Sequence, residues 1–175
     1  MTRALPFAGA ALGGALVLAL CLALLGGGSP AAAPTGTATW NAPDGSFSIE
    51  TPRGWKAVAS GSAATVLERS DKRGVIVIRE RAAVKGSLDD LAGQLERKLR
   101  KQLTDFRPAG ARVATVGGAR GLVYTFVRPA ANQVQSVVVA PAGDRSYTLD
   151  LVADGDAKDV ARELAGMVRS FAPQR

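Results

Sequence analysis

The chain has 175 residues, with 22 Lys and Arg against 15 Asp and Glu, one cysteine and no histidine. Without histidine there is no Ser-His-Asp or Cys-His nucleophile system, no imidazole-ligated zinc or copper and no side chain with an unperturbed pKa near neutrality. One cysteine excludes an internal disulfide, a CxxC redox pair and a thiolate metal cluster.

Residues 5–25 carry no charge, and Arg3 with the α-amino group supplies a positive flank, the layout of an export signal. The run is also close to the roughly 20 apolar residues that span a bilayer, so a retained anchor is the second reading. Cys21, at the end of Leu18-Ala19-Leu20, offers a third, acylation as a lipoprotein, although Leu20 stands where a small residue is usual. All three place the rest of the chain outside the cytoplasm, secreted or membrane-anchored. Residues 1–31 are therefore read as signal peptide or signal-anchor, with membrane association through this segment alone. Residues 32–39, small and uncharged, read as a flexible linker, and residues 40–175 as one domain.

Within the domain, residues 47–51 alternate apolar and polar, the period of a half-buried strand, and Pro52-Arg53-Gly54 ends it. Further strands are expected at 55–59, 64–69 and 75–81, the last two joined by a turn at Asp71-Lys72-Arg73-Gly74. Val75 and Val77 share a face with Arg79, while Ile76 and Ile78 point the other way, so this strand reads as interior and covered on both sides.

Ser87 fits an N-cap. Asp89 and Asp90 follow in the first turn, and Leu88, Leu91, Leu95, Leu99, Leu103 and Phe106 recur at helical spacing until Pro108 and Gly110 close the helix. Strands at 112–116, 121–127, 134–140 and 147–152, separated by Gly117-Gly118, Asn132-Gln133 and Pro141-Ala142-Gly143-Asp144, form a meander, and a final helix covers 156–171. The expected class is α+β, a mainly antiparallel sheet flanked by helices.

The run Phe47-Ser48-Ile49-Glu50-Thr51-Pro52-Arg53-Gly54-Trp55 resembles the opening signature of the PsbP-like superfamily, an aromatic-Ser-aliphatic strand running into Pro-x-Gly-Trp. Gly117-Gly118-Ala119-Arg120-Gly121, Tyr147-Thr148-Leu149 and Ser170-Phe171 follow in the family's order. Within it the chain resembles the exported LpqN-type (lipo)proteins of actinobacteria, whose function is unknown. The resemblance implies an α/β/α sandwich that binds rather than catalyses, and it carries no shared set of functional residues. Read from the residues themselves, Phe47, Pro52, Gly54 and Trp55 are structural, because a large aromatic more often buries its area in a core than stacks on a ligand.

Charge marks the candidate binding surface. Residues 69–128 hold 14 basic and 6 acidic side chains, whereas residues 144–163 hold 3 and 6. Arg97, Lys98, Arg100 and Lys101 form a candidate basic face for an acidic protein or an anionic envelope component. Against it stands the plain reading of a solvated helix face. Nucleic acid is not expected, since no recognition motif accompanies the charge. Asp150, Asp154, Asp156 and Asp159 lack the spacing of a calcium loop, and a helix cap from Asp154 or Asp156 is the simpler role. The sequence thus points to an exported, non-enzymatic binding domain without cofactor or metal, or alternatively to a carrier of a small ligand or lipid in an apolar pocket between sheet and helix.

Overall fold

The computed structural model describes residues 36–61 and 64–174. The expected signal or anchor and Cys21 lie outside the described residues. Among the described residues ten strands and two α-helices are arranged in order as β1 (Thr37–Asn41), β2 (Phe47–Pro52), β3 (Trp55–Ser60), β4 (Thr65–Arg69), β5 (Gly74–Ala82), α1 (Leu88–Gln102), β6 (Arg107–Val116), β7 (Ala119–Arg128), β8 (Gln133–Ala142), β9 (Arg145–Asp154), α2 (Lys158–Ser170) and β10 (Ala172–Pro173), with a 3-10 turn at Pro129–Ala131. β3 to β9 form a seven-stranded sheet in the order β3-β4-β5-β9-β8-β7-β6, and β1-β2-β10 form a small second sheet. Every strand pair among the described residues is antiparallel. The α+β class is therefore as expected.

Period-two alternation sorts the large sheet into two faces. One carries Leu67, Ile76, Ile78, Val138, Leu149 and Leu151, which are buried with Val160, Leu164, Met167 and Val168 of α2 and with Phe47 and Ile49 of β2. Each such side chain contributes about 1.5–3 kcal/mol when fully removed from water, which makes this layer the main core. Phe47 sits among Trp40, Tyr147 and Phe171 with ring centroids 5.4–5.8 Å apart, so the small sheet, β9 and the end of α2 share one aromatic junction. On the same face Thr125 and Ser136 satisfy one another at 2.9 Å, which removes the cost of burying two hydroxyls.

The opposite face is covered in part. α1 packs on β6 and β7, while Val75, Val77 and Val152 are half-buried. β5 is interior, between β4 and β9, yet the expectation of cover on both sides fails there, because the second layer is one amphipathic helix set towards one side of the sheet.

Four further expectations are corrected. β1 takes in Thr37, Ala38 and Thr39, assigned above to the linker, because pairing with β2 from Thr37↔Pro52 to Asn41↔Ser48 orders a segment with no large apolar residue before Trp40. α1 ends at Gln102, with the Leu103 N–H reaching Leu99 O at 2.9 Å. Pro108 and Gly110 lie instead inside β6, where the register shifts between them. β6 is an edge strand, and there a missing N–H and a bulged glycine at φ +149° are tolerated. Finally, α2 begins at Lys158 with Ala157 at the cap and no side-chain cap bond. Neither Asp154 nor Asp156 caps it.

Candidate functional site

Where α1 overhangs the half-covered face, it leaves a groove of about 650 Å³. Local sequence sets the position of the helix. Ser87 Oγ accepts the Asp90 N–H at 3.0 Å, and Asp89 and Asp90 sit in the first turn, where the helix dipole favours negative charge. Further along, Leu95, Leu99 and Leu103 pack with Ala92 against Phe106, Tyr124 and Phe126. Arg100 lies over the Phe106 ring, 5.3 Å from its centroid, and also pairs with Glu96 at 2.7 Å. Asp105, just beyond the helix, accepts from Arg128 at 2.9 Å. The helix is thus pinned over β7, and none of its residues is fully buried.

The groove wall is the leucine stripe Leu91, Leu95 and Leu99, and its floor is the face of β8 and β9 that carries Val137, Val139, Thr148 and Val152. The polar lining comprises Arg79, Arg81, Lys98, Asp150 and the glutamines Gln94, Gln102 and Gln135. Arg79 donates to Asp150 across the β5–β9 ladder. Burial pushes the Asp150 carboxyl above its ordinary value, with Arg79, Arg81 and Lys98 pulling the other way. Apolar walls and a few convergent polar groups in a concavity of this size are the usual make-up of a small-ligand site, roughly 300–1,000 Å³.

The four candidate basic residues do not act together. Lys98 lines the groove, Arg100 is committed to Glu96 and Phe106, and Arg97 and Lys101 are exposed. The motif residues lie away from the groove. Phe47 is in the core, Pro52 is buried at the end of β2, and Gly54 adopts φ +92° while its carbonyl accepts from the Ser70 N–H at 2.7 Å. Trp55 is 8% exposed and its indole N–H donates to Glu163 Oε2 at 2.8 Å.

The acidic residues of the last turn are spread over three arginines. Asp150 pairs with Arg79, Asp154 and Asp156 with Arg73, and Asp159 with Arg69. Among the described residues no group of three or more acids, cysteines or histidines is placed to hold a metal ion.

Nothing in the sequence groups Arg79, Arg81 and Asp150 as one site. The usable signal was the alternation Val75-x-Val77-x-Arg79-x-Arg81, which continues an apolar face into two cations.

The cyanobacterial PsbP of Synechocystis sp. PCC 6803 superposes with a TM-score of 0.59 at 14% identity, covering 85% of this chain and 98% of that one. The chain has a PsbP-like fold. LpqN of Mycobacterium tuberculosis, involved in cell envelope biogenesis, matches this PsbP-like domain with a TM-score of 0.51 at 15% identity, over 80% of this chain and 91% of its own. PA94 of Pseudomonas aeruginosa, a protein of unknown function and putative regulator, gives 0.51 at 14% identity over 79% and 98%. No protein-family model matches the chain, and no curated protein matches it. Among the described residues no helix is long and apolar enough to cross a membrane.

Proposed function

We propose that the protein is an exported, non-enzymatic binding domain of the cell envelope, and that it holds a partly apolar small ligand in the groove between α1 and the seven-stranded sheet. The observation that carries this reading is the mismatch between the sheet and its cover. Val137 and Val152 of the second face remain half-buried and, with Val139, line a groove beside a leucine-lined helix that packs on β6 and β7. The envelope setting is supported by the export-type N-terminal sequence and by the likeness to LpqN.

The groove favours a small ligand over a folded protein partner, because a concavity of this volume encloses a chain or ring system and offers little flat area. The test uses the neutral dye Nile red with the full chain. Fluorescence enhancement is expected for the wild type and its loss in Thr148→Trp, whose indole fills the groove floor. The thermal transition of the variant serves as the control for folding. No enhancement, or equal enhancement by a folded Thr148→Trp chain, overturns the proposal.

A further inference from the structure

The charge lining the groove selects among partly apolar ligands. Three cations, Arg79, Arg81 and Lys98, surround a single carboxylate, that of Asp150. They come from two separate elements, β5 and α1, so their convergence is a product of the fold and not of one charged helix face. Arg79 and Asp150 are each about one-third exposed, which leaves both within reach of a ligand at the groove mouth. Leu91, Leu95 and Leu99 of α1 line the same groove as this cluster. A single-chain molecule laid along the stripe therefore places its end among the cations.

We infer that the groove binds a single-chain amphiphile with an anionic head, its apolar chain against Leu91, Leu95 and Leu99 and its head among Arg79, Arg81 and Lys98. This inference rests on the groove reading above and adds the sign of the ligand's charge. One carboxylate against three cations leaves a local surplus of two positive charges, and a monoanionic head reduces it. Asp150 then acts as a competitor for Arg79.

The test compares binding of laurate and 1-dodecanol, which share a chain and differ in head charge, by the full chain at low salt. Laurate is expected to bind about tenfold more tightly, a ratio equivalent to about 1.4 kcal/mol, and the advantage shrinks as salt is raised. Lys98→Gln, an exposed change that leaves the fold intact, is expected to weaken laurate several-fold and leave dodecanol unaltered. Asp150→Asn is expected to tighten laurate several-fold, which a purely apolar site, or binding to the N-terminal apolar run, would not produce. Equal affinity for the two compounds, with neither variant altering laurate, overturns the charge inference while the Nile red result stands for the groove. Binding of neither compound, with no Nile red signal, overturns both. Displacement of laurate by an acidic peptide that binds more tightly also overturns the inference, in favour of a protein ligand.

Discussion

Replacing Trp55 with phenylalanine keeps an aromatic ring at the start of β3 and removes the indole N–H that reaches Glu163 at 2.8 Å. The acceptor is an ionised carboxylate only 18% exposed, and a hydrogen bond to such a group contributes about 1.5–3 kcal/mol. Arg69 Nε stands 3.5 Å from the same oxygen, so the carboxylate keeps a partner and the lower half of that range applies. The smaller ring also leaves a void beside Gly74, where the Trp55 ring now fits against a position with no Cβ, adding about 1 kcal/mol. The expected cost is about 2.5–3 kcal/mol, seen as a fall of about 1–2 M in the urea midpoint. A double-mutant cycle with Glu163→Gln separates the bond from the packing, with an expected coupling of about 1 kcal/mol or more. A cost below about 0.5 kcal/mol with no coupling would refute the reasoning and return Trp55 to consideration as a ligand-contacting residue.

Other substitutions probe the remaining layers. Gly74→Ala would place a Cβ 2.5 Å from Val160 Cγ1 and 2.8 Å from the Trp55 ring, an overpacking expected to cost about 1–3 kcal/mol in urea unfolding, whereas Gly61→Ala, with nothing within 4 Å and no positive φ, is expected to be near neutral. Ser87→Ala removes the cap of α1 and is expected to cost about 1 kcal/mol, with faster hydrogen exchange at the amides of the first helical turn. The Arg128 guanidinium beside Asp105 holds that carboxyl below its ordinary value. A depressed carboxyl contributes stability that is present above its unfolded pKa and lost as pH falls through the folded one. Asp105→Asn is therefore expected to be less stable at neutral pH and to show a shallower loss below about pH 4 in urea midpoints followed against pH. Asp150 works in the opposite sense, since its raised carboxyl favours the folded state most at low pH and loses that contribution as pH rises through the raised value.

Much of this fold is legible in the residues. Ser87 with Asp89 and Asp90 marks the helix start, and the Asp71 to Gly74 turn marks the hairpin, where Lys72 adopts φ 63°. These are local signals, set by capping and turn chemistry. Pro108 and Gly110 mislead because they stop a helix and equally suit a bulged edge strand. Choosing between those needs the knowledge that β6 lies at the sheet edge. β1 escapes notice because Thr37 to Thr39 are small and merge with the Ala- and Thr-rich run before them, and their order comes from β2.

The groove is the least legible part, for a related reason. Val75 and Val77 announce an apolar second face, but the sequence does not reveal that α1 covers β7 and leaves β5 half-open. Arg79 and Asp150 are 71 residues apart, and the β5–β9 register alone brings them together. Of the four cations expected to form a face on α1, Lys98 is the one that faces the groove cluster, and Arg100 is used in holding the helix.

The proposed function requires that ligand binds in the groove. Amide chemical shifts of the full chain, followed by NMR during titration with laurate, test this directly. The account predicts saturable shifts centred on Leu91, Leu95 and Leu99 of α1 and on Val139, Thr148 and Asp150 of the sheet. Shifts confined to the small sheet of β1, β2 and β10, or none at saturating laurate, would contradict it.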